Sequence, residues 1–269
     1  MNSNRYHHLS WLHGIELFEA SLSTQTFARH AHEGFAIGAI AEGVGGYFCR
    51  GERMVLPAGS LSLMNPEEAH TGYADTRWLR YNMLYVSEVA VCDILGVRSL
   101  LGFSTVAPKD RGFALSKALS ALAARLTSER SLDWHLSVEE AVHDVLSKSF
   151  CRYGRTELRP AGAEHCAVSR LREQIAAGVE SGADLSLSLL ADTAQLNQSY
   201  LIRITRRATG LTPHGLVVRA RVEKAHQLLL QNTSAASAAL AAGFCDQAHM
   251  IRQYRRHFGV TPSVVFQHT

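Results

Sequence analysis

One phrase is written twice near the C-terminus, 49 residues apart. The first copy is Arg206-Arg207-Ala208-Thr209-Gly210-Leu211-Thr212-Pro213 and the second is Arg255-Arg256-His257-Phe258-Gly259-Val260-Thr261-Pro262. The agreement reaches upstream, where Ile202-Arg203 behind Leu201 recurs as Ile251-Arg252 behind Met250. A duplication of this kind restricts this part of the chain to two copies of one supersecondary unit.

Each phrase reads as the end of a helix. Over residues 198–209 the apolar positions Leu201, Ile204 and Ala208 have the spacing of one helical face. Gly210 supplies the left-handed residue that commonly closes a helix, and Pro213 cannot continue it. Arg203, Arg206 and Arg207 occupy the remaining faces. Residues 186–194 read as a short helix and Gln195-Leu196-Asn197 as a tight turn, which together make a helix-turn-helix. In the second copy a short helix over 235–242 ends at Gly243, and Asp246 is placed to cap a helix running to Phe258. Between the copies, Pro213 suits the first turn of a further helix. Leu216, Val217, Ala220, Val222, Leu228, Leu229 and Leu230 give that helix a broad apolar surface, so it would fix the spacing and rotation of the two units.

With these residues in view, the stretch from 185 to 267 resembles the DNA-binding domain of the AraC/XylS family of bacterial transcription regulators. The matching segments are the two phrases, Leu190-Ala191, Ser199-Tyr200-Leu201, Arg203, Gly243-Phe244 and Asp246-Gln247. The chain departs from the family at Thr205, where Phe is usual, and at Ala235 and Ala238, where Ile is usual. Each lost methylene forgoes about 0.8 kcal/mol of burial. The second unit is therefore expected to pack less firmly, unless larger neighbours compensate.

At 269 residues the chain has room for two domains. The division expected is 1–151 for a sensing and dimerisation domain, 152–163 for a linker, and 164–269 for the DNA-binding domain. No basic start followed by an apolar run marks a signal peptide, and no apolar stretch reaches membrane-spanning length. Cys49, Cys92, Cys151, Cys166 and Cys245 are odd in number and lack CxxC pairs, which favours reduced thiols in a cytosol over a disulfide framework or zinc finger. Charge is unevenly shared: residues 160–269 hold 11 Lys+Arg against 7 Asp+Glu, and residues 1–159 hold 16 against 17. The excess of +4 in the C-terminal part suits a phosphate-binding module joined to a neutral one.

The N-terminal half has a different texture. Residues 1–22 carry only a weak amphipathic pattern around Leu17 and Phe18. Short apolar segments at 35–40, 46–50, 53–56, 60–64 and 78–86, punctuated by glycine and Asn65-Pro66, read as strands of an antiparallel sandwich or barrel. The run from Leu56 to His70 resembles the sensor domain of the same family, a small cupin-like β-barrel that binds an effector, and His30-Ala31-His32-Glu33 resembles the opening of the first cupin motif. The fold expected is thus α+β: an N-terminal cupin-like antiparallel β-barrel with flanking helices, then an all-α domain of two helix-turn-helix units joined by a helix.

Metal-binding cupins bring a His-x-His pair, a Glu four or five residues later and a further His onto one ion. Here Ala36 and Ile37 stand where that Glu belongs, and Glu33 points elsewhere along a strand. His30, His32 and His70 still offer three ligands with open positions. The missing carboxylate favours histidines that line a pocket, so no metal or other cofactor is expected. The pocket walls are assigned to His30, His32, Phe35, Tyr47, His70, Tyr81 and Met83, a lining suited to a small polar or amphipathic molecule. For Tyr47 and Tyr81, simple core packing is the alternative.

Helical patterns return at 113–126 and 133–150. The resemblance implies that such helices form a homodimer interface; packing onto their own barrel accounts for part of each face. It also implies double-stranded promoter DNA and RNA polymerase as partners, with activation favoured over repression. By helical phase, Ser199, Ile202 and Arg203 in the first unit and Ala248, His249, Ile251 and Arg252 in the second are expected to face base edges in successive major grooves. Arg203 and Arg252 suit bidentate contact with guanine. Arg206, Arg207, Arg255 and Arg256 suit phosphates. Ile202 and Ile251 would either pack on thymine methyls or be buried within the protein. The rival functions are a metal cupin enzyme fused to a DNA-binding domain, and a regulator that needs no ligand.

Overall fold

A computed structural model describes residues 4–22, 26–104, 112–162 and 164–263, so the last residues of the C-terminal resemblance, 264–267, lie outside the described residues. The chain forms two compact units, one of Met1–Thr127 with Ala141–Leu158 and the other of Ser128–Glu140 with Arg159–Thr269. Among the described residues no helix is long and apolar enough to cross a membrane.

The first unit is two antiparallel sheets. β1 (Arg5–His8), β2 (Ile15–Leu22), β4 (Phe35–Glu42), β7 (Leu61–Met64) and β9 (Leu79–Val86) form one, in the order β1-β2-β9-β4-β7. β3 (Thr26–His30), β5 (Val44–Cys49), β6 (Glu52–Pro57) and β8 (His70–Ala74) form the other, in the order β3-β8-β5-β6. A short helix α1 (Glu88–Leu95) follows β9, and α2 (Phe113–Leu126) packs against β4 and β9.

Strand β4 is buried on both faces from Phe35 to Ile40, which is why its sequence is a continuous apolar run rather than an alternation. One parity, Phe35, Ile37 and Ala39, is turned to the helical side; Phe35 stacks on Phe103 at 5.4 Å and Phe150 at 4.9 Å. The other parity faces the second sheet, where Ile40, Leu56 and Leu79 cluster with Tyr47, Ala74 and Tyr81. Strands β1, β2, β3 and β8 and helix α1 went unread in the sequence. β3 is exposed at every position and so carries no two-residue hydrophobic alternation, and β8 has Gly72 at its centre.

The apolar face of α2, with Leu115, Ala118, Leu119 and Leu122 buried, is covered within this unit. Helix α3 (Trp134–Arg152) contributes its residues from Ala141 on to the first unit, where Val142, Val145, Leu146 and Phe150 are buried. These apolar faces, assigned from sequence to a dimer interface, are thus occupied inside the chain.

The second unit holds α4 (His165–Ser181), α5 (Leu187–Ala194), α6 (Gln198–Thr209), α7 (Pro213–Leu230), α8 (Ala235–Ala241) and α9 (Gln247–Phe258). Asp246, Gly210, Pro213 and Gly259 stand at helix ends as read from sequence. Ser186, Asn197, Thr212, Ser234 and Asp246 each accept a backbone N–H as N-caps. Gly210 and Gly259 close α6 and α9 with φ of 75° and 77°. The first helix-turn-helix packs on α4 and the start of α7 through Val168, Leu171, Ile175, Leu190, Leu201 and Val217. The second is built on Val222, Ala225 and Leu229 of α7. There Phe244, Met250 and Tyr254 pack in the same cluster as Ala235 and Ala238, the two positions where larger residues are usual.

The early part of α3 packs in this unit. Leu136 enters the core around α4, α5 and α6. Glu139 Oε2 accepts the Leu187 N–H at 2.6 Å, and Glu140 Oε1 accepts the His214 N–H at 2.6 Å. Residues 139 and 140 thereby satisfy orphan donors in the first turns of α5 and α7. Burial raises the Glu139 carboxyl to about 7, helped by the negative charges of Asp184 and Glu140 and opposed by the Leu187 N–H. Because the folded value lies above the ordinary one, this group favours the fold below the usual carboxylate range, and that contribution is lost as pH rises through about 7. From 4.5 to about 7 the loss amounts to about 3 kcal/mol. Glu139→Gln is therefore expected to flatten the stability profile over that window, read as urea midpoints at a series of pH values. An unchanged profile would contradict this.

Candidate nucleic-acid interface and ligand cavity

The two helices that bear the repeated arginines differ in how much they leave open. In α9, Ala248 and Arg252 are exposed, as are Arg255 and Arg256 in the last turn. His249 is half-buried: its N–H bonds to the cap, Asp246, at 2.5 Å, and its ring lies 3.2 Å from Cys245 Sγ and 5.4 Å from the Phe244 ring centroid. Burial is the main cause that lowers its pKa, so its ring is held neutral. Ile251 is half-buried against the second apolar cluster.

In α6 the outward face expected for Ser199 and Ile202 is not observed. Ser199 is 0% and Ile202 4% exposed. Ile202 joins the cluster of Val168, Leu171, Tyr200 and Leu201, so burial within the protein wins over the thymine-methyl reading at this position. Helical phase does not predict this because almost every side of the first two turns is covered: Tyr200, Leu201, Ile204 and Thr205 are buried as well. Truncating Ile202 to Ala is accordingly expected to cost about 2–5 kcal/mol in chemical denaturation. Base preference, measured on a randomised site library, is expected to stay unchanged; a shift confined to one A·T pair would restore the readout role.

The residues before α4 run along α6. The Tyr200 hydroxyl donates to Glu164 Oε1 at 2.8 Å and accepts the Gly162 N–H at 3.1 Å. The Arg159 guanidinium sits 4.5 Å from the Tyr200 ring centroid. Arg203 donates from Nε to Ser199 O at 3.2 Å and from Nη1 to the Arg159 carbonyl, and Arg207 donates to the Ala161 carbonyl. Arg206 is exposed. No pattern in the chain signals these contacts, since backbone carbonyls are chemically the same at every residue.

In the first unit a cavity of about 110 Å³ lies between the two sheets. His30, His32, Tyr47, His70, Tyr81 and Met83 line it, as do Phe18, Phe27, Tyr73 and Tyr85, which the sequence reading missed. Tyr85 was findable: Leu79, Tyr81, Met83 and Tyr85 alternate along β9 and share a face. Phe35, assigned to this pocket from sequence, has the opposite parity on β4 and is 2% exposed in the core beside Phe103 and Phe150. A one-residue error in parity exchanges the two faces of a strand.

Burial holds several of the lining groups neutral. Burial pushes the Tyr47 hydroxyl up to about 12 and raises Tyr81 and Tyr85, so these phenols stay protonated donors. Burial, then the neighbouring His70 and His30, lowers His32 to about 4, and burial lowers His70. Neutral imidazoles beside phenols, with Phe and Met walls, provide donors and acceptors for a small polar or amphipathic molecule and no fixed counter-charge.

Two family descriptions match the chain. One for an AraC-like ligand binding domain covers residues 12–146, and one for a helix-turn-helix domain covers residues 190–268. The HTH-type transcriptional activator RhaS of Klebsiella pneumoniae is 22% identical over 271 residues, spanning 95% of this chain and 96% of that protein. The virulence regulon transcriptional activator VirF of Yersinia enterocolitica is 42% identical over 55 residues, 20% of each chain. The first relatives matched are covered over only 20% to 32% of their own length. Among solved structures, a transcriptional regulator with an AraC-type DNA-binding domain from Chromobacterium violaceum is 26% identical, with a TM-score of 0.35, over 38% of this chain and 89% of that one.

Proposed function

The chain belongs to the AraC family of transcriptional regulators, and we propose that it reads double-stranded promoter DNA through α6 and α9 under the control of a small molecule held between the sheets of its first unit. The observation that carries this reading is the pair of capped helix-turn-helix units with an arginine at the same place in each second helix, Arg203 and Arg252. Residues 164–269 read DNA and residues 1–151 sense the effector, joined through 152–163; the early part of α3 is shared with the DNA-reading unit. Arg252 contacts a base edge, and Arg206, Arg255 and Arg256 hold phosphates.

The protein acts in the cytoplasm as a homodimer, by activation through RNA polymerase, and catalyses no reaction. Activation is supported by the named relatives, two of which are described as activators. With the apolar faces of α2 and α3 occupied, a dimer through 113–126 and 133–150 uses what those helices leave uncovered. A lined cavity supports ligand control over control by concentration alone. The test is genome-wide mapping of bound DNA, with transcripts compared in a strain lacking the protein. Discrete sites beside an operon whose expression falls on deletion are expected. Diffuse binding with no transcript change, whatever the growth medium, would defeat the reading.

A further inference from the structure

Tyr200, Arg203 and Arg207 stand at i, i+3 and i+7 of α6, the spacing of one helical stripe. All three are held by residues that precede α4. Arg203 donates to the Arg159 carbonyl and Arg207 to the Ala161 carbonyl. The Tyr200 hydroxyl accepts the Gly162 N–H at 3.1 Å and donates to Glu164 Oε1 at 2.8 Å. The Arg159 and Arg203 guanidinium carbons lie 4.5 and 5.6 Å from the Tyr200 ring centroid, so one ring carries a cation from each side of the contact. The Glu164 carboxylate stands 3.9 Å from Arg159 and closes the set.

The repeat supplies an internal control. The counterparts of Tyr200, Arg203 and Arg207, 49 positions on, are His249, Arg252 and Arg256 of α9. Arg252 and Arg256 are exposed, and neither donates to a backbone carbonyl among the described residues. His249 turns its ring to Cys245 and Phe244 instead. The two helices therefore share a phrase and differ in what occupies their arginines. A guanidinium has donors only, and an N–H held by a carbonyl is withdrawn from a phosphate or a base. The carbonyl oxygens and the Glu164 carboxylate also set negative charge beside those arginines, against an approaching phosphate.

We propose that Arg159, Ala161, Gly162 and Glu164 form an autoinhibitory strap on the first helix-turn-helix, which lifts before Arg203 and Arg207 engage DNA. This device rests on the regulator reading above. It gives the first helix-turn-helix a closed and an open state, of which DNA selects the open one; the second needs no such step. The strap starts at the residue after Leu158, where the sensing unit ends, and Pro160 stiffens it. A displacement of that end is thereby passed to the arginines.

Two substitutions weaken the strap from opposite sides, without changing charge or removing an arginine. Tyr200→Phe deletes the hydroxyl that holds Gly162 and Glu164 and keeps the buried ring. Gly162→Ala puts a Cβ 2.9 Å from that hydroxyl and 3.3 Å from Glu164 Oε1, too close for the closed arrangement. In anisotropy titrations of the full-length chain on a duplex carrying a mapped site, each variant is expected to bind about 2- to 10-fold more tightly than the parent, the factor that one net hydrogen bond is worth. In the Tyr200→Phe background the penalty for Arg203→Ala should also grow, because a freed arginine contributes more. A change that merely loosened packing would weaken binding and leave that penalty alone. Hydrogen exchange of the unsubstituted chain adds a reading that needs no variant: the Gly162 amide should exchange faster with the duplex bound. Equal or weaker binding by both variants would overturn the strap and leave the regulator reading standing, as would a Gly162 amide equally protected with and without DNA. If neither the parent nor the variants bind a mapped site, the regulator reading falls and the strap falls with it.

Discussion

Replacing Arg221 with Ala is expected to destabilise the C-terminal unit by about 3–5 kcal/mol, the cost of leaving one member of a buried ion pair behind. Arg221 and Asp133 are each 2% exposed, and Arg221 Nη1 reaches Asp133 Oδ1 at 2.5 Å. The same Nη1 donates to the Gly243 carbonyl at 3.1 Å, in the turn of the second helix-turn-helix. Asp133 keeps His214 Nε2 at 2.7 Å and Ser131 Oγ at 2.6 Å, so the Arg221 deletion belongs at the lower end of that range. Asp133→Ala removes the shared acceptor and belongs at the upper end, since it strands a guanidinium that cannot deprotonate.

Acid adds an independent reading of the same node. Burial alone would raise the Asp133 carboxyl, but the hydrogen bond and charge of His214, the charge of Arg221 and the Ser131 hydroxyl outweigh it and hold the group far below the usual carboxylate range. A depressed folded-state value means that its contribution is present above the ordinary carboxylate pKa and fades as pH falls below it. Chemical denaturation at pH 7 and pH 3 should therefore show a smaller Asp133→Ala penalty in acid. Equal penalties at both pH values would mean that the carboxylate carries no charge-dependent stability. An Arg221→Met variant as stable as the parent would show that packing, not the ion pair, sets the cost.

Where the sequence was legible, local chemistry sufficed. Helix ends in the second unit were readable because the signals sit at the ends themselves: Asp246 as a cap, Gly210 and Gly259 in the left-handed region, Pro213 in a first turn. Strand β4 was readable because both its faces are apolar. What failed depended on residues distant in sequence. Phe35 was assigned to the cavity because an unbroken apolar strand does not reveal its parity. Ser199 and Ile202 were assigned to a free surface because helical phase says nothing about what covers it. The Asp133–Arg221 pair spans 88 positions, and no local pattern joins those two residues.

Arg252→Ala is expected to weaken binding to the specific site by about 1–3 kcal/mol, roughly 5- to 150-fold, while leaving non-specific DNA almost unaffected. Arg252 is exposed in the second turn of α9, so contact with a base costs it little inside the protein. Arg203 differs. It already donates to the Ser199 and Arg159 carbonyls, and a base contact must replace those bonds. The net loss for Arg203→Ala is therefore smaller than for Arg252→Ala, although the two residues occupy equivalent places in the repeat. Lying in separate units, they should be nearly additive, which makes the double variant the most damaging change at the interface. Removing Arg255 or Arg256 should instead weaken all sequences alike and reduce the salt dependence of log affinity by about one. Anisotropy titrations on a mapped site and a scrambled duplex, each at several salt concentrations, separate the two behaviours. If Arg252→Ala weakens both duplexes equally, it holds a phosphate, and base readout in the second unit passes to Ala248 and its neighbours. If Arg203→Ala costs as much as Arg252→Ala, the carbonyls of Ser199 and Arg159 do not compete with DNA, and the two units read their grooves as equals.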